Sequence, residues 1–254
     1  MDLDTTLSVG ERDEVIWHDL ECGSYRVDLG LWSELAHEHN TPLLDVGAGS
    51  GRVALHLASE GHRVTALDRS QELLRALRER AGSLAIDTVC ADARSFELPT
   101  SEAPGLIIVP MQTIQLLGGP QGRQAFFSCA LANMRYGALL ACAIVCDFEA
   151  FDCTIGDPGP SAEQAQHGDL LYRSRATQVR LAGRAAVLKR ERTVIPLGRP
   201  EPEARHEENI IELDLVSPEQ LQEEASAAGL EPAGFREITA TEEYTASTVV
   251  MMRA

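Results

Sequence analysis

A short apolar stretch that runs directly into a glycine-rich turn is the most informative feature of the sequence. It reads Leu43-Leu44-Asp45-Val46-Gly47-Ala48-Gly49-Ser50-Gly51-Arg52. Glycines let a ligand approach the backbone closely, and the N-terminus of a helix presents free N–H groups to an anionic group. The stretch therefore predicts a strand, a ligand-binding turn and the start of a helix.

The spacing of these glycines distinguishes between ligand classes. A dinucleotide-binding turn has the pattern G-x-G-x-x-G, whereas Gly47, Gly49 and Gly51 form G-x-G-x-G. Asp45 precedes them, and a carboxylate at that position would repel a pyrophosphate. It suits a ligand that bears an ammonium and a sulfonium group, as S-adenosylmethionine (SAM) does.

Two further acidic residues follow the next predicted strands. Asp68 ends the second strand, where a carboxylate can accept from both hydroxyls of a ribose. Asp92 follows the third strand, where it can accept from the exocyclic amine of adenine. Together with Asp45 they place carboxylates at three successive strand ends, which line one crevice of a parallel sheet.

The strands and helices that position these residues are predicted from the spacing of apolar residues and from helix-capping and turn residues. The predicted strands are 42–46, 62–68, 86–91, 106–109 and 138–145, and the predicted helices are 29–37, 51–59, one that begins at Ser70, and 122–134. Short apolar strands that alternate with amphipathic helices indicate βαβ units with right-handed crossovers. We therefore predict a doubly wound, Rossmann-like α/β fold with a mostly parallel sheet up to about residue 150.

The pattern changes after residue 150. Extended segments over 170–195 and 209–215, separated by Gly183 and a proline-rich stretch, predict antiparallel strands added to the sheet or over its edge. In such a strand Tyr172, Ser174 and Ala176 share one face, and Arg173 and Arg175 share the other.

Arg190 and Arg192 also share a face of a predicted strand. An inward pair, either this one or Arg173 with Arg175, would favour an acceptor with a carboxylate or phosphate. We expect instead that the arginines are solvated on the outer face. Further along, Ser217-Pro218 and Gln220 predict a capping box that opens a helix ending near Gly229. Strands over 235–238 and 247–251 then close the chain.

On these residues the sequence resembles the class I SAM-dependent methyltransferases, in particular their small-molecule branch, where a tyrosine and a helix precede the first strand as Tyr25-Arg26-Val27-Asp28-Leu29 does. The resemblance implies that the glycine turn contacts the methionine part of SAM, that Asp68 holds the ribose and that Asp92 with Ala93 reads the adenine. Arg52 takes the position that faces the methionine carboxylate. The implied cofactor-binding residues are Tyr25, Asp45, Gly47, Ala48, Gly49, Arg52, Asp68, Arg69, Asp92, Ala93, Pro110 and Met111.

The acceptor side is expected in the segment after the fourth strand and near the rim of the sheet. Gln112 and Gln115 are three positions apart, so both could point into the crevice. An oxygen acceptor that loses a proton needs a base, and the candidates by position are Tyr25, His18, Asp147 and Glu149. We take Tyr25, Gln112, Gln115 and Asp147 as the candidate catalytic residues.

The charge and composition of the chain indicate which classes of binding partner are unfavourable. The chain has 254 residues and a net charge of −17, which disfavours nucleic acid and anionic membranes as partners. The sequence has no long apolar run and begins with an acidic segment, so we expect a cytoplasmic protein, as a monomer or a homodimer. Its six cysteines form no CxxC pair, and His37 and His39 are expected to be solvated helix-end residues, so no metal is assigned.

The sequence therefore predicts a single methyltransferase domain that moves a methyl group from SAM to an oxygen or nitrogen atom of a small molecule and releases S-adenosylhomocysteine (SAH). Its parts would be a helical lid (1–40), a SAM-binding core (41–150), an antiparallel acceptor-side insertion (151–215) and a segment that completes the sheet (216–254). Two alternatives remain open. One is an NAD(P)-dependent Rossmann oxidoreductase, and the other is a non-catalytic SAM-binding regulatory protein.

Overall fold

A computed structural model describes residues 9–39, 41–198 and 204–254 of the chain. The chain forms two compact units, one of residues 25–147 with 216–254 and the other of the residues up to Ser24 with 148–215. We call the first the core unit and the second the antiparallel unit.

The core unit alternates strands and helices along the chain. Its elements are α2 (Leu29–His39), β1 (Leu43–Val46), α3 (Arg52–Ser59), β2 (Val64–Asp68), α4 (Gln71–Ala81), β3 (Ile86–Cys90), β4 (Leu106–Val109), α5 (Gly119–Asn133), β5 (Leu139–Ile144), α6 (Pro218–Ala227), β11 (Glu231–Ile238) and β12 (Ser247–Arg253). The antiparallel unit contributes α1 (Val9–Cys22), β6 (Phe151–Asp152), β7 (Glu163–His167), β8 (Leu170–Ala182), β9 (Ala185–Pro196) and β10 (Arg205–Asp214).

The core unit is built on a seven-stranded sheet with the order β11-β12-β5-β4-β1-β2-β3. Strands β1 to β5 are parallel, and β12 and β11 extend the sheet antiparallel beyond β5. The chain winds outward from β1 to β3, and then returns to place β4 on the other side of β1. The turns after β1 and β4 therefore flank a topological switch point, which is where ligands bind in sheets of this type. The predicted doubly wound, mostly parallel α/β fold is confirmed.

Both faces of this sheet are covered, which explains why apolar residues stand at consecutive positions in its inner strands. In β1, Leu43 packs in one hydrophobic cluster and Leu44 in another. In β4, Ile107 and Ile108 divide between the same two clusters. Because successive side chains of a strand point to opposite faces, a strand buried on both sides needs apolar residues at consecutive positions.

Local capping signals set two helix starts at the predicted residues. The Ser70 hydroxyl accepts a hydrogen bond from the backbone N–H of Leu73 at the start of α4. Ser217 and Gln220 form the predicted capping box of α6, with Pro218 at its first position. Helix α5 begins at Gly119, before the predicted residue 122, because the turn through Gly118 and Gly119 already directs the chain into it.

The antiparallel unit forms a sheet of its own. Its strands follow the order β10-β9-β8-β6, with β7 also paired to β8. The predicted antiparallel strands are confirmed, and β8 and β9 pair with each other along their full length. Of the two predicted arrangements, addition to the parallel sheet is wrong, because these strands form a separate sheet. As predicted, Tyr172, Ser174 and Ala176 lie on the buried face of β8, and Arg173 and Arg175 are exposed.

The prediction that Arg190 and Arg192 are solvated is wrong. The Arg192 guanidinium forms two hydrogen bonds to the Glu21 carboxylate, at 2.7 and 2.8 Å, and its side chain is only 17% exposed. Arg190 lies 3.2 Å from the Glu163 carboxylate. A partner 171 residues away in sequence gives no local signal, so the spacing of the arginines alone could not reveal these ion pairs.

The described residues hold no disulfide among the six cysteines. Across 9–39, 41–198 and 204–254, no helix combines the length and the apolar character that a membrane span requires.

Candidate cofactor site at the carboxyl ends of the parallel strands

The glycine-rich turn leaves β1 and folds back against β2. The backbone N–H groups of Gly47 and Ala48 both donate to the Leu67 carbonyl oxygen, at 2.8 and 3.0 Å. Gly47 and Gly49 have φ angles of +72° and +56°, and Gly51, the N-cap of α3, has φ +99°. These left-handed conformations disfavour side chains with a Cβ, so the turn needs glycine at each of the three positions.

The Asp68 carboxylate joins this turn to the start of α4. One oxygen accepts from the Gly49 backbone N–H at 2.9 Å, and the other accepts from the Ser70 N–H at 2.8 Å. A carboxylate has about four lone-pair positions, so two acceptor positions remain after these bonds. Asp68 is half-buried at the end of β2, next to the switch point. It is therefore held in place by the backbone and still able to accept two hydroxyl hydrogens.

Asp45 lies within β1 and is 1% exposed. Among the described residues, neither oxygen of its carboxylate has a hydrogen-bond partner of normal geometry. Burial raises the pKa of Asp45 to about 7; Arg52 and a weak interaction with the Ala54 backbone N–H oppose this shift, and Asp28 and Asp68 add to it. An unpartnered buried carboxylate among such charges is costly unless a proton or a cationic ligand accompanies it.

Arg52, the first residue of α3, is held by an acid that the sequence did not single out. Its guanidinium donates to both oxygens of Asp28, at 2.5 and 2.7 Å, and to the Tyr25 carbonyl oxygen at 2.8 Å. The Trp32 indole N–H also donates to Asp28, at 2.8 Å. The Asp28 side chain is fully buried. The predicted contact of Arg52 with a methionine carboxylate would therefore use the guanidinium N–H groups that do not donate to Asp28 or Tyr25.

Tyr25 lies in the same part of the core unit. Its ring meets that of Tyr244 edge to face, with centroids 4.9 Å apart, and the Arg52 guanidinium carbon lies 5.2 Å from the Tyr25 ring centroid. Burial and the nearby Asp28 raise the pKa of the phenol, and a hydrogen bond with Ser247 opposes that rise. Tyr25 is therefore a neutral phenol at physiological pH, suited to positioning a ligand.

Asp92, the acid after β3, is partly exposed. Both oxygens of Asp92 accept from Arg94, whose guanidinium nitrogens lie 2.6 to 3.2 Å away. These bonds lower the pKa of Asp92 to about 2, so it is a carboxylate at any physiological pH. Ala93 packs partly buried against the core, and Arg69, after β2, is exposed. A ligand that binds Asp92 would use the lone pairs that the hydrogen bonds from Arg94 leave unoccupied.

The segment after β4 faces the glycine turn across the switch point. Pro110 is buried, and Met111 has φ +55°, the one described non-glycine residue with a left-handed backbone. A Cβ built on Gly47 would lie 2.5 Å from Thr113, so the two turns touch. Strained residues of this kind cluster at functional sites, because the surrounding structure must hold them in place.

Gln112 and Gln115 do not present a matched pair to the crevice. Gln115 is 1% exposed, and its amide donates to the Val145 carbonyl oxygen and accepts from the Val145 N–H, at 3.0 and 2.9 Å. It braces the segment after β4 against the end of β5. Gln112 stays partly exposed, and Asp147 is exposed just after β5.

The candidate bases divide between the two units. Tyr25 and Asp147 belong to the core unit with all the predicted cofactor residues, whereas His18 and Glu149 belong to the antiparallel unit. Sequence reasoning missed Asp28, Trp32 and Tyr244. A buried pair between Arg52 and Asp28, 24 residues apart, has no local pattern that would indicate it.

Comparison with known proteins agrees with this geometry. Residues 43–132 match the profile of a methyltransferase domain family. An uncharacterized protein of Mycobacterium tuberculosis is 32% identical over 97 residues, which are 38% of this chain and 35% of that protein. The chain thus matches about a third of the length of its curated relatives.

Solved structures resemble the chain over nearly its full length. A sugar N-methyltransferase from Streptoalloteichus aligns with a TM-score of 0.71 at 14% identity, covering 100% of this chain and 99% of that one. An amino pentose methyltransferase from Micromonospora echinaspora aligns at 0.66 and 16% identity, with both chains covered completely. A SAM-dependent methyltransferase from Clostridium acetobutylicum aligns at 0.66 and 14% identity, covering 97% and 99%.

The chain therefore has the fold of the class I SAM-dependent methyltransferases. Residues 43–132, which match the methyltransferase domain family, include the glycine turn, Asp68 and Asp92.

Proposed function

We propose that this protein is a SAM-dependent methyltransferase that acts on an oxygen or nitrogen atom of a small molecule and releases SAH. The observation that carries the proposal is Asp68, a half-buried carboxylate held by the N–H groups of Gly49 and Ser70 beside the switch point. Such a group is preorganised to accept the two hydroxyls of a ribose.

The residues around Asp68 fit the charges of SAM. The buried Asp45 carboxylate, which has no hydrogen bond of normal geometry within the described part of the chain, favours a cationic ligand over a pyrophosphate. This preference supports SAM over a nicotinamide dinucleotide. In this proposal the glycine turn and Tyr25 contact the methionine part, and Asp92 with Ala93 contacts the adenine. Arg69, Pro110 and Met111 complete the surface around the cofactor. When bound, SAM supplies an electrophilic methyl group on a sulfonium.

The protein's own task in such a reaction is to hold the acceptor in line with the methyl group and to exclude water. Positioning of this kind can account for about 7–11 kcal/mol of a reaction barrier. Tyr25, Gln112 and Asp147 are the candidates in the core unit for contacting the acceptor. We assign Gln115 the role of holding the segment after β4, since its amide is bonded to Val145.

An amine is the acceptor to test first. The similar structures include enzymes described as a sugar N-methyltransferase, an amino pentose methyltransferase and a glycopeptide N-methyltransferase. The net charge of −17 also attracts cationic acceptors rather than anionic ones. A neutral amine brings its own lone pair, so its methylation needs only a route for the released proton.

Thermal unfolding of the purified protein with SAM, SAH, NAD and NADP in parallel tests the cofactor. A ligand at about 100 times its dissociation constant adds about 2.7 kcal/mol of stability. We expect SAM and SAH to raise the unfolding midpoint and the nicotinamides to leave it unchanged. A shift with NAD or NADP alone would overturn the proposal in favour of an oxidoreductase.

Transfer is tested separately, by following SAH release with a panel of amino sugars and their hydroxyl counterparts. SAH formation that depends on the acceptor supports the enzyme. SAM binding without transfer to any member of the panel supports a non-catalytic SAM-binding protein instead.

A further inference from the structure

A group of metal-ligating side chains lies at the edge of the core unit opposite the cofactor site. It consists of His37, Glu60 and His62, which we call the histidine cluster. His37 is in the last turn of α2, Glu60 caps α3, and His62 precedes β2. Because the parallel strands start at this edge, it is remote from their carboxyl ends, where the glycine turn lies.

His37 is oriented with one nitrogen free to bind. Its Nδ1 lies 2.7 Å from the Ser33 carbonyl oxygen. A carbonyl oxygen only accepts, so Nδ1 must carry the hydrogen, and in the neutral ring Nε2 carries the lone pair. Metal-bound histidines commonly donate their other ring N–H to a backbone carbonyl in this way.

His62 supplies an independent sign that a ligand is missing. The residue is 9% exposed, and within the described residues its Nε2 is buried without a hydrogen-bond partner. The lone pair of an imidazole nitrogen is a common metal ligand, so this buried Nε2 is suited to bind an ion.

The third member provides an anionic oxygen. Glu60 is exposed, and its carboxylate lies 3.6 Å from His56 Nε2. Gly61, with φ +94°, makes the tight turn that brings Glu60 and His62 together. The rings of His37 and His62 are perpendicular, with centroids 4.7 Å apart.

The spacing of the ligand atoms suits a single ion. One atom from each of the three side chains lies within 4.8 Å of the other two. Ligands about 2.1 Å from a tetrahedral zinc ion are about 3.4 Å apart, so the two exposed side chains need to move by only about 1 Å. Two imidazoles and one carboxylate form a set typical of zinc sites that keep a fourth position for water.

We propose that the histidine cluster binds one divalent transition-metal ion, with Zn²⁺ as the principal candidate. The ion would join the end of α2 to the turn between α3 and β2. His39, the other histidine of the H-x-H pair, does not belong to the cluster, although sequence alone places it next to His37.

The test uses the full chain without a polyhistidine tag, stripped of metal with a chelator. Zn²⁺ is titrated by calorimetry, and Co²⁺ is titrated by its visible absorption, which reports the ligand geometry. The variants His37→Gln and Glu60→Gln remove exposed ligands and should leave the fold intact, and His62→Gln removes the buried one. His39→Gln is the matched control.

We expect one Zn²⁺ per chain and a dissociation constant at least about 10-fold higher in each of the three cluster variants, with the His39→Gln value unchanged. Undetectable Zn²⁺ and Co²⁺ binding by the wild type would overturn the proposal. Equal affinity in wild type and His37→Gln would do the same even if His62→Gln proved unstable. None of these readouts involves SAM, so a failure here is distinct from a failure of the proposed function.

Discussion

The Asp68→Ala substitution tests the cofactor site most directly. The wild-type carboxylate accepts from the N–H groups of Gly49 and Ser70 and has two acceptor positions left, which the proposed function assigns to a ribose. Hydrogen bonds to a charged group contribute about 1.5–3 kcal/mol each, so the loss of two costs about 3 kcal/mol or more of binding free energy. At 1.4 kcal/mol per factor of ten, SAM affinity should fall by about 100-fold.

Calorimetric titration of SAM measures this change, and circular dichroism checks that the variant is folded. Asp87→Ala is the matched control, because Asp87 is an exposed aspartate of the neighbouring strand β3 that pairs only at the surface with Arg63. We expect its SAM affinity to equal that of the wild type. If folded Asp68→Ala bound SAM as tightly as the wild type, the assignment of Asp68 to the ribose would be wrong.

Three further predictions concern the same unit. Gly49→Val should abolish SAM binding, because φ is +56° at this position and a side chain would block the ligand's approach. Gly137→Val is the control for backbone strain, because φ is +74° there and a Cβ built on Gly137 would meet no neighbouring atom. Gln115→Leu should lower the unfolding free energy in urea by about 2–4 kcal/mol, since it leaves two buried backbone groups of Val145 unpaired. Asp45→Asn should raise stability above pH 7 by up to about 4 kcal/mol and change it little near pH 4.

The sign of the Asp45 effect follows from proton binding. With a folded pKa of about 7 and an ordinary value of 3.8, the folded protein keeps a proton that the unfolded chain has released between these two pH values. The wild type therefore loses stability as the pH rises from about 4 to 7, and the asparagine variant does not. Parallel pH profiles for the two proteins would contradict this account. SAM binding by Gly49→Val would contradict the role given to the glycine turn. An unchanged unfolding free energy of Gln115→Leu in urea would contradict the role given to its bonds with Val145.

The parallel part of the fold could be predicted from sequence because its signals are local. Strand β4 was predicted at the residues where it lies, since its apolar run is bounded by Gly105 and Pro110. The starts of α4 and α6 were predictable because a serine side chain caps the N–H group three residues later. Such signals need no knowledge of the rest of the chain.

The antiparallel unit and part of the candidate site depend on contacts between segments that are distant in sequence, and these could not be predicted. Strand β7 is polar and mostly exposed, so it has no apolar pattern to predict it. The Tyr172 hydroxyl donates to Asp13 across 159 residues, and this contact helps to place α1 with the antiparallel strands. No periodicity in either segment encodes that pairing. The same holds in the site for Asp28, whose role becomes visible only when Arg52 is placed beside it.

The double hydrogen bond of Asp68 has a consequence for how fast a ligand can bind. Because the carboxylate fixes the glycine turn and the first residues of α4 during folding, the loss of conformational entropy in these segments is complete before any ligand arrives. A ligand that binds Asp68 as proposed therefore requires no rearrangement of these two segments during association. Variation in affinity among cofactor analogues would accordingly appear in their dissociation rates.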